Sequence, residues 1–324
     1  MQDLVTVFGG SGFVGAQVVR ALAKQGWRVR VAVRQPHLAY KMRLLGDVGQ
    51  IEVVQANIRN EASIRRAVEG AYAVVNAVGV LYETGRQKFQ SIHAMGARNV
   101  AAVAREAGVE RLVQISALGA DPESGAKYAR TKAMGEDAVR EAFPGAVIVR
   151  PSVVFGPDDN FFNRFGELAM ISPVLPLIGG GDGKLQPVFV GDVAKAIVAC
   201  VTDPACAGQT YELGGPRAYS FRELMELVLA ETGRKRFLVP LPFPVAALMG
   251  KAFEFLALTP WAPPLTEDQV ELLKSDNVVS GTQPGLAELG IEATAVEGIV
   301  PAYLYRFRKG GQYADEVERL TAVA

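Results

Sequence analysis

Residues 5–15 read Val-Thr-Val-Phe-Gly-Gly-Ser-Gly-Phe-Val-Gly, and this stretch decides the fold. The apolar run 4–8 predicts a buried strand, and the apolar residues of 13–22 recur at the spacing of a helix. A strand, a glycine turn and a helix in this order form the first half of a dinucleotide-binding βαβ unit. The alternative is a glycine turn that holds no ligand.

The glycine turn has the residue types that a pyrophosphate site needs. One glycine must turn with positive φ, one must let the backbone approach the phosphates, and one must let the helix pack closely on the strand. The N-terminus of the helix then offers free N–H groups and a partial positive charge. We therefore expect cofactor contacts from Gly9, Gly10, Ser11, Gly12, Phe13, Val14 and Gly15.

The chain continues as an alternation of strand and helix patterns. Strands are predicted at residues 28–33, 51–55, 73–78, 111–116, 146–150 and 210–213, with helical segments among them. This alternation predicts an α/β protein with a doubly wound parallel Rossmann sheet and a smaller C-terminal α/β lobe. We place the nucleotide-binding domain at 1–156, with a returning strand near 210–215, and the smaller lobe at 157–324.

Residues at the ends of the second, third and fourth strands are expected to contact the nucleotide, and one of them bears on which nucleotide binds. Arg34 stands where NAD-specific folds carry an acidic residue for the ribose 2′-hydroxyl. A guanidinium binds a 2′-phosphate in a bidentate way, which favours NADPH as the cofactor. The alternative is a solvated arginine at a strand edge. Contacts with the adenine and with the underside of the cofactor are expected from Asn57, Ile58, Ala77, Val78 and Gly79.

A second chemical constellation follows the fifth strand. Ser116 ends that strand, and Tyr128 and Lys132 are spaced i and i+4, so they share one face of a predicted helix. A tyrosine transfers a proton at a carbinol oxygen only if its pKa falls toward neutrality, and a neighbouring lysine favours the phenolate and can hold the nicotinamide ribose. Tyr128 and Lys132 are therefore candidate catalytic residues, and all three are candidate cofactor contacts. The alternative is a solvated helix face.

The composition excludes some classes of function. Of 324 residues, 34 are Lys or Arg and 34 are Asp or Glu, so the balance gives no electrostatic case for nucleic acid. The cysteines, Cys200 and Cys206, fit no metal or disulfide spacing, so we expect no metal site. No run of eighteen apolar residues occurs, so we expect no transmembrane span.

The stretch 237–265 is strongly apolar. Pro244 is predicted to open a helix with Val245, Leu248 and Met249 on one face, and Trp261 follows in a proline-rich segment. The stretch is predicted to contact a partner protein or a bilayer surface; the alternative is a helix packed on the second lobe.

Local helix signals lie on either side of this stretch. Two capping boxes, Ser220 with Glu223 and Thr266 with Gln269, predict helices that end near residues 232 and 279. Asp192 is predicted to cap the helix that follows it.

The glycine turn, Ser116, Tyr128, Lys132 and the pair Arg150-Pro151 resemble the extended or atypical branch of the short-chain dehydrogenase/reductase superfamily over residues 3–215. This resemblance also implies that Pro151 and Val153, where the chain leaves the sheet, contact the cofactor. Catalytic extended members usually carry a Ser or Thr where this chain has Leu118, and commonly an asparagine where it has His93. The proton-transfer set is therefore incomplete.

A narrower resemblance runs nearly end to end. Residues 141–152, 186–190 and 240–276 resemble the NAD(P)H-binding accessory subunit of respiratory complex I. That resemblance implies a tightly held, structural NADPH, contacts with other complex I subunits and contact with the membrane surface. Because the first strand begins close to Met1, we expect no targeting peptide and a bacterial member, peripheral on the cytoplasmic face of the inner membrane. The alternative is a free-standing NADP-dependent reductase or epimerase of a small carbonyl compound.

Overall fold

The computed structural model describes residues 3–254 and 263–313. The strands of its main sheet are β1 (Leu4–Phe8), β2 (Arg28–Val33), β3 (Ile51–Gln55), β4 (Ala73–Asn76), β5 (Arg111–Ile115), β6 (Val147–Pro151) and β11 (Thr210–Leu213). They pair in the spatial order β11-β6-β5-β4-β1-β2-β3, and every pair is parallel. Because β1 lies between β2 and β4, the topological switch point falls at the end of β1, directly before the glycine turn.

Helices cover both faces of this sheet. One face carries α1 (Phe13–Lys24) and α6 (Val190–Thr202), and the other carries α2 (Glu61–Val68), α3 (Met95–Glu106) and α4 (Lys127–Ala142). The strands are apolar on both sides because each face packs under helices: one buried cluster joins the sheet to α1 and α6, and another joins it to α2, α3 and α4. The predicted α/β class with a doubly wound parallel sheet is confirmed.

The smaller lobe is built from short strands and helices. Its strands are β7 (Val154–Phe155), β8 (Val174–Ile178), β9 (Lys184–Leu185), β10 (Val188–Phe189), β12 (Tyr219–Ser220) and β13 (Phe237–Leu241). Its helices are α5 (Phe162–Ile171), α7 (Phe221–Thr232), α8 (Phe243–Phe253), α9 (Glu267–Leu272), α10 (Val296–Ile299) and α11 (Pro301–Leu304). β8 pairs with β13, β9 with β12, and β7 with β10. The domain boundary at residue 156 stays a prediction.

The local helix signals were partly correct. Both capping boxes are present, and α7 ends at Thr232 as predicted. α9 ends at Leu272 instead of near residue 279. The chain is extended at Asn277, whose amide donates to the Lys184 carbonyl and whose carbonyl accepts from the Gln186 amide. Asp192 was also misassigned: it lies inside the first turn of α6, and its carboxylate accepts from the amide of Thr294, 2.8 Å away.

In the part of the chain that the structure describes, no helix combines the length and the hydropathy that a bilayer crossing requires. The helix predicted to open at Pro244 is present as α8, which begins at Phe243 and has Pro244 in its first turn. Trp261 lies outside the described residues.

Candidate nucleotide-binding site

The glycine turn joins β1 to α1 with the geometry that phosphate binding requires. Gly9 has φ +73°, and its carbonyl accepts from the amide of Gly12 at 3.0 Å. Gly12 is extended (φ −78°, ψ 174°) and is the N-cap of α1, where no side chain caps the helix. The N–H groups of the first turn are therefore available to an anion. A Cβ on Gly15 would lie 2.3 Å from the Gly9 carbonyl oxygen, so only glycine lets α1 pack against the turn.

A cavity of about 310 Å³ opens beside this turn, at the carboxyl ends of the strands. Its lining includes these predicted residues: Gly9, Ser11, Gly12, Arg34, Asn57, Ile58, Ala77, Val78 and Gly79. It also includes residues that the sequence analysis missed: Phe8, Ala32, Val33, Gln35, Leu38, Ala56, Val80, Gln87 and Ile92. Apart from Gln35 and Gln87 these are apolar, and as buried strand ends or loop positions they carry no motif of their own.

The side chains predicted to select the nucleotide lie on this cavity. Arg34 is exposed at its rim, and within residues 3–254 and 263–313 no carboxylate forms an ion pair with it. Asn57 is partly engaged already, because its Oδ1 accepts from the amide of Arg59 at 3.1 Å. Ile58 is only 4% exposed and packs against Gly96, so only a small edge of it is left for an adenine.

The other predicted residues of the glycine turn lie outside the cavity lining. Gly10 packs between Val19 and Val31, each 3.1 Å from the place where a Cβ would stand. Val14 packs on the core of the α1 face. Phe13 lies against Gly156, at the start of the smaller lobe.

The residues predicted to meet the nicotinamide half are grouped at the ends of β5 and β6 and on α4. A Cβ on Gly79 would lie 3.6 Å from Lys132 Nζ, so Lys132 stands beside the cavity. Ser116 is buried, and its Oγ has no hydrogen-bond partner in the described part of the chain. The Pro151 carbonyl accepts from the Leu118 amide at 3.0 Å, and Val153 packs on the core of the smaller lobe.

Burial sets the protonation of the Tyr128–Lys132 pair. Lys132 Nζ donates to the Ile115 carbonyl at 3.3 Å and lies 5.8 Å from the centroid of the Tyr128 ring. Burial lowers the pKa of Lys132 to about 8, although the Glu136 carboxylate opposes this. Burial, with the Asp268 carboxylate, raises the pKa of Tyr128 to about 12. The phenol therefore keeps its proton at neutral pH, which is the opposite of what a tyrosine base requires.

His93 lies in this cluster, although the sequence analysis named it only as a departure from the asparagine of extended members. Its Nε2 accepts from the Val80 amide at 3.1 Å, and its Nδ1 lies 3.2 Å from the Thr131 hydroxyl, which itself donates to the Tyr128 carbonyl at 3.1 Å. These partners require a neutral ring protonated on Nδ1. Burial and the neighbouring Lys132 ammonium lower the pKa of His93 to about 2. The sequence signal that could have identified His93 was its position, where extended members commonly carry an asparagine.

Asp268 is a second residue that the sequence analysis missed. It lies on α9 of the smaller lobe, and its carboxylate accepts from the amides of Lys127 (2.5 Å) and Tyr128 (3.0 Å) at the N-terminus of α4. No local pattern predicts a contact across 140 residues.

These features fit a dinucleotide. The uncapped first turn of α1 suits a pyrophosphate, and the Arg34 guanidinium suits a phosphate at the ribose. The buried Ser116 hydroxyl, which has no partner among the described residues, could bond to a ligand. The cavity walls are mostly apolar with a few polar groups, as in most cofactor sites.

Comparison with known proteins agrees with this geometry. A sequence profile of the NAD dependent epimerase/dehydratase family matches residues 5–214. Mitochondrial NADH dehydrogenase (ubiquinone) 1 alpha subcomplex subunit 9 of Mus musculus is 36% identical over 317 residues, which cover 97% of this chain and 83% of the mouse protein. The ceramide reductase of Caulobacter vibrioides is 34% identical over 264 residues, which cover 80% of this chain and 81% of that one.

A solved structure, Escherichia coli NADPH-dependent quinone oxidoreductase in complex with NADPH, matches with a TM-score of 0.73. The match covers 93% of this chain and 99% of that one at 22% identity, so it concerns the fold alone.

The sheet, the glycine turn and the Tyr128–Lys132 pair define an NAD(P)-binding Rossmann protein of the short-chain dehydrogenase/reductase type. The chain belongs to the NAD dependent epimerase/dehydratase family and, within it, to the family of NADH dehydrogenase alpha subcomplex subunit 9. Both predicted resemblances are confirmed.

Proposed function

We propose that this chain is an accessory subunit of respiratory complex I that holds NADPH tightly and does not turn it over. The observation that carries the proposal is the extent of the similarity to the mouse complex I subunit. The family profile ends at residue 214, but that similarity covers 97% of this chain and so takes in the smaller lobe. A shared nucleotide fold alone would not require the smaller lobe to match.

The proposed nucleotide contacts follow the cavity and the cluster beside it. Gly9–Gly15 would hold the pyrophosphate, Arg34 the 2′-phosphate, and Asn57 and Ile58 the adenine end. The nicotinamide half would meet Ala77, Val78, Gly79, Ser116, Tyr128, Lys132, Pro151 and Val153. The preference for NADPH over NADH rests on Arg34, because a guanidinium at this strand end that has no ion pair within the described ranges attracts a phosphate dianion.

Two features support retention without turnover. Bound NADPH would offer a hydride, but its use on a carbonyl requires a proton donor and a polarising group in this chain. A raised pKa makes Tyr128 a weaker proton donor, and Leu118 supplies no hydroxyl where catalytic members carry one. Loss of one polarising donor costs about a hundredfold in rate. Lys132 and Ser116 would then serve as ribose and nicotinamide contacts.

The smaller lobe presents an apolar surface to solvent. The apolar surface consists of exposed side chains at the end of α5, on β13 and on α8: Met170, Ile171, Phe237, Val239, Val245, Leu248 and Met249. Phe237 is 76% exposed and Leu248 is 71% exposed, with the cations Lys235 and Lys251 beside them in the chain. Apolar side chains next to cations suit a protein partner at a membrane surface. We propose that this surface contacts other complex I subunits and the lipid surface on the cytoplasmic face of a bacterial inner membrane.

The test is purification of an affinity-tagged chain from the membranes of cells that make it. We expect NADH:quinone oxidoreductase subunits to accompany the chain in mild detergent, and NADPH to be released on acid extraction. Leu248→Lys should reduce this association, whereas Leu44→Lys, which changes an equally apolar residue that is 85% exposed on the nucleotide-binding side, should not.

A second candidate function is a free-standing reductase, favoured by the similarity to a ceramide reductase and by the Tyr128–Lys132 pair. It predicts a chain that purifies without complex I subunits and reduces a carbonyl substrate with NADPH, with the activity lost in Tyr128→Phe. That result would overturn the subunit proposal.

A further inference from the structure

We propose that Asp268 is a positioning residue that couples nucleotide occupancy to the order of the apolar surface. The inference rests on the proposed function, because it concerns the same nucleotide site and the same surface. It is carried by two successive helix contacts that join α4 to α9 and α9 to α8.

The first contact is the cap that Asp268 places on α4. The N-cap residue of α4, Ala126, has no side chain that caps the helix. The amides of Lys127 and Tyr128 instead donate to the two oxygens of Asp268. A carboxylate at a helix N-terminus stabilises the first turn through its hydrogen bonds and through the helix dipole. The first turn of α4 carries Tyr128, and Lys132 follows one turn later, so the cap fixes the group proposed to hold the nicotinamide ribose.

The second contact holds α9 against α8. A Cβ on Gly250 would lie 2.7 Å from the Glu267 amide nitrogen, so α8 crosses the start of α9 with backbone against backbone. The Glu267 amide also donates to Glu254 Oε1 at 3.2 Å, directly after α8. Ala246 of α8 and Val270 of α9 are buried in one apolar cluster. The other side of α8 carries Val245, Leu248 and Met249 of the apolar surface.

These contacts couple nucleotide binding at α4 to the position of α9 and α8. A nucleotide that binds Tyr128 and Lys132 favours the arrangement of α4 that Asp268 caps, and this favours α9 in its place against α8. By reciprocity, ordering of α8 by a partner tightens nucleotide binding by the same factor. The apolar surface would therefore be more ordered in the nucleotide-bound chain than in the nucleotide-free chain.

The test measures the purified full chain with and without NADPH, by calorimetric titration and by amide hydrogen exchange. We expect NADPH to slow exchange in residues 243–253 and 267–280 as well as around the glycine turn. Asp268→Ala should weaken NADPH binding about tenfold and abolish the NADPH-dependent slowing in 243–253. Asp268→Asn keeps one acceptor oxygen and should fall between Asp268→Ala and wild type. Glu267→Gln removes the same charge from the exposed neighbour on α9 and should behave as wild type.

The outcomes separate the two proposals. A wild-type chain that binds no NADPH would overturn the proposed function and this inference with it. A chain that binds NADPH, but whose exchange in 243–253 does not respond, would overturn the inference alone. The inference alone would also be overturned if NADPH slowed amide exchange in residues 243–253 of Asp268→Ala as much as in wild type. A merely structural role for Asp268 predicts that result, because exchange would then rise by the same factor with and without nucleotide.

Discussion

His93 is predicted to make this protein sensitive to mild acid. The ring is 3% exposed, accepts from the Val80 amide and lies beside the Lys132 ammonium, so the folded chain keeps it neutral down to a pKa of about 2. The unfolded chain takes up that proton near pH 6.5. Since the unfolded state then binds more protons, the free energy of unfolding falls as pH drops below 6.5 and continues to fall toward the folded pKa.

The size of this loss follows from the two pKa values. One pH unit below the unfolded pKa, at about pH 5.5, the uptake of the proton by the unfolded chain costs the folded state about 1.4 kcal/mol, against about 0.1 kcal/mol at about pH 7.5. The stability present above pH 6.5 is therefore reduced by roughly a tenth to a quarter of what a typical domain has. His93→Asn cannot titrate, and a difference between two pH values cancels the pH-independent cost of the substitution.

The assay is urea unfolding of the nucleotide-free chain at both pH values, with circular dichroism as the signal that reports unfolding. The wild-type chain should lose about 1.3 kcal/mol more than His93→Asn between the two pH values. His37→Asn is the matched control, because His37 is exposed and has no role in this site. An equal pH dependence in wild type and His93→Asn would refute the reasoning and would mean that the ring is protonated or solvated in the folded chain.

Four further predictions concern the nucleotide site. Arg34→Glu should weaken NADPH binding by about 1.5–3 kcal/mol in calorimetric titration, the size of a lost charge-assisted hydrogen bond. The affinity of Arg34→Lys should lie between those of Arg34→Glu and wild type. Equal affinity of the wild-type chain for NADH and NADPH would contradict this prediction. Gly12→Val should abolish nucleotide binding without unfolding the chain, because Gly12 has an extended backbone and a Cβ there would meet only the Gly9 oxygen at 3.3 Å. Gly15→Ala should instead lower the melting temperature, because its Cβ would lie only 2.3 Å from that same oxygen. Unchanged thermal unfolding would show that α1 can move away. Tyr128→Phe should leave complex I content and NADH:quinone turnover of membranes near wild type, since its phenol is not poised for proton transfer; a large loss of turnover would assign the hydroxyl a function.

Local sequence determined most of the fold. The strand at 4–8, the glycine turn and the helix at 13–24 lie where the pattern predicts them, because hydrophobic period and glycine conformation act over only a few residues. The same holds for the capping boxes of α7 and α9, whose partners are three residues apart. The alternation of these elements was enough to predict a parallel doubly wound sheet, since parallel strands need crossover connections.

Tertiary structure decided what local pattern could not. Asp268 caps a helix 140 residues away, Asp192 binds the amide of Thr294, and Asn277 ends α9 early by pairing with β9. Each is a polar group whose partner is distant in sequence, and a hydrogen bond of this kind leaves no periodic signal. The protonation of Tyr128 and His93 was likewise decided by burial, which only the packed chain provides. The sequence thus determined that this protein has an NAD(P)-binding fold, while the packing of the smaller lobe against α4 decided how its tyrosine and lysine are held.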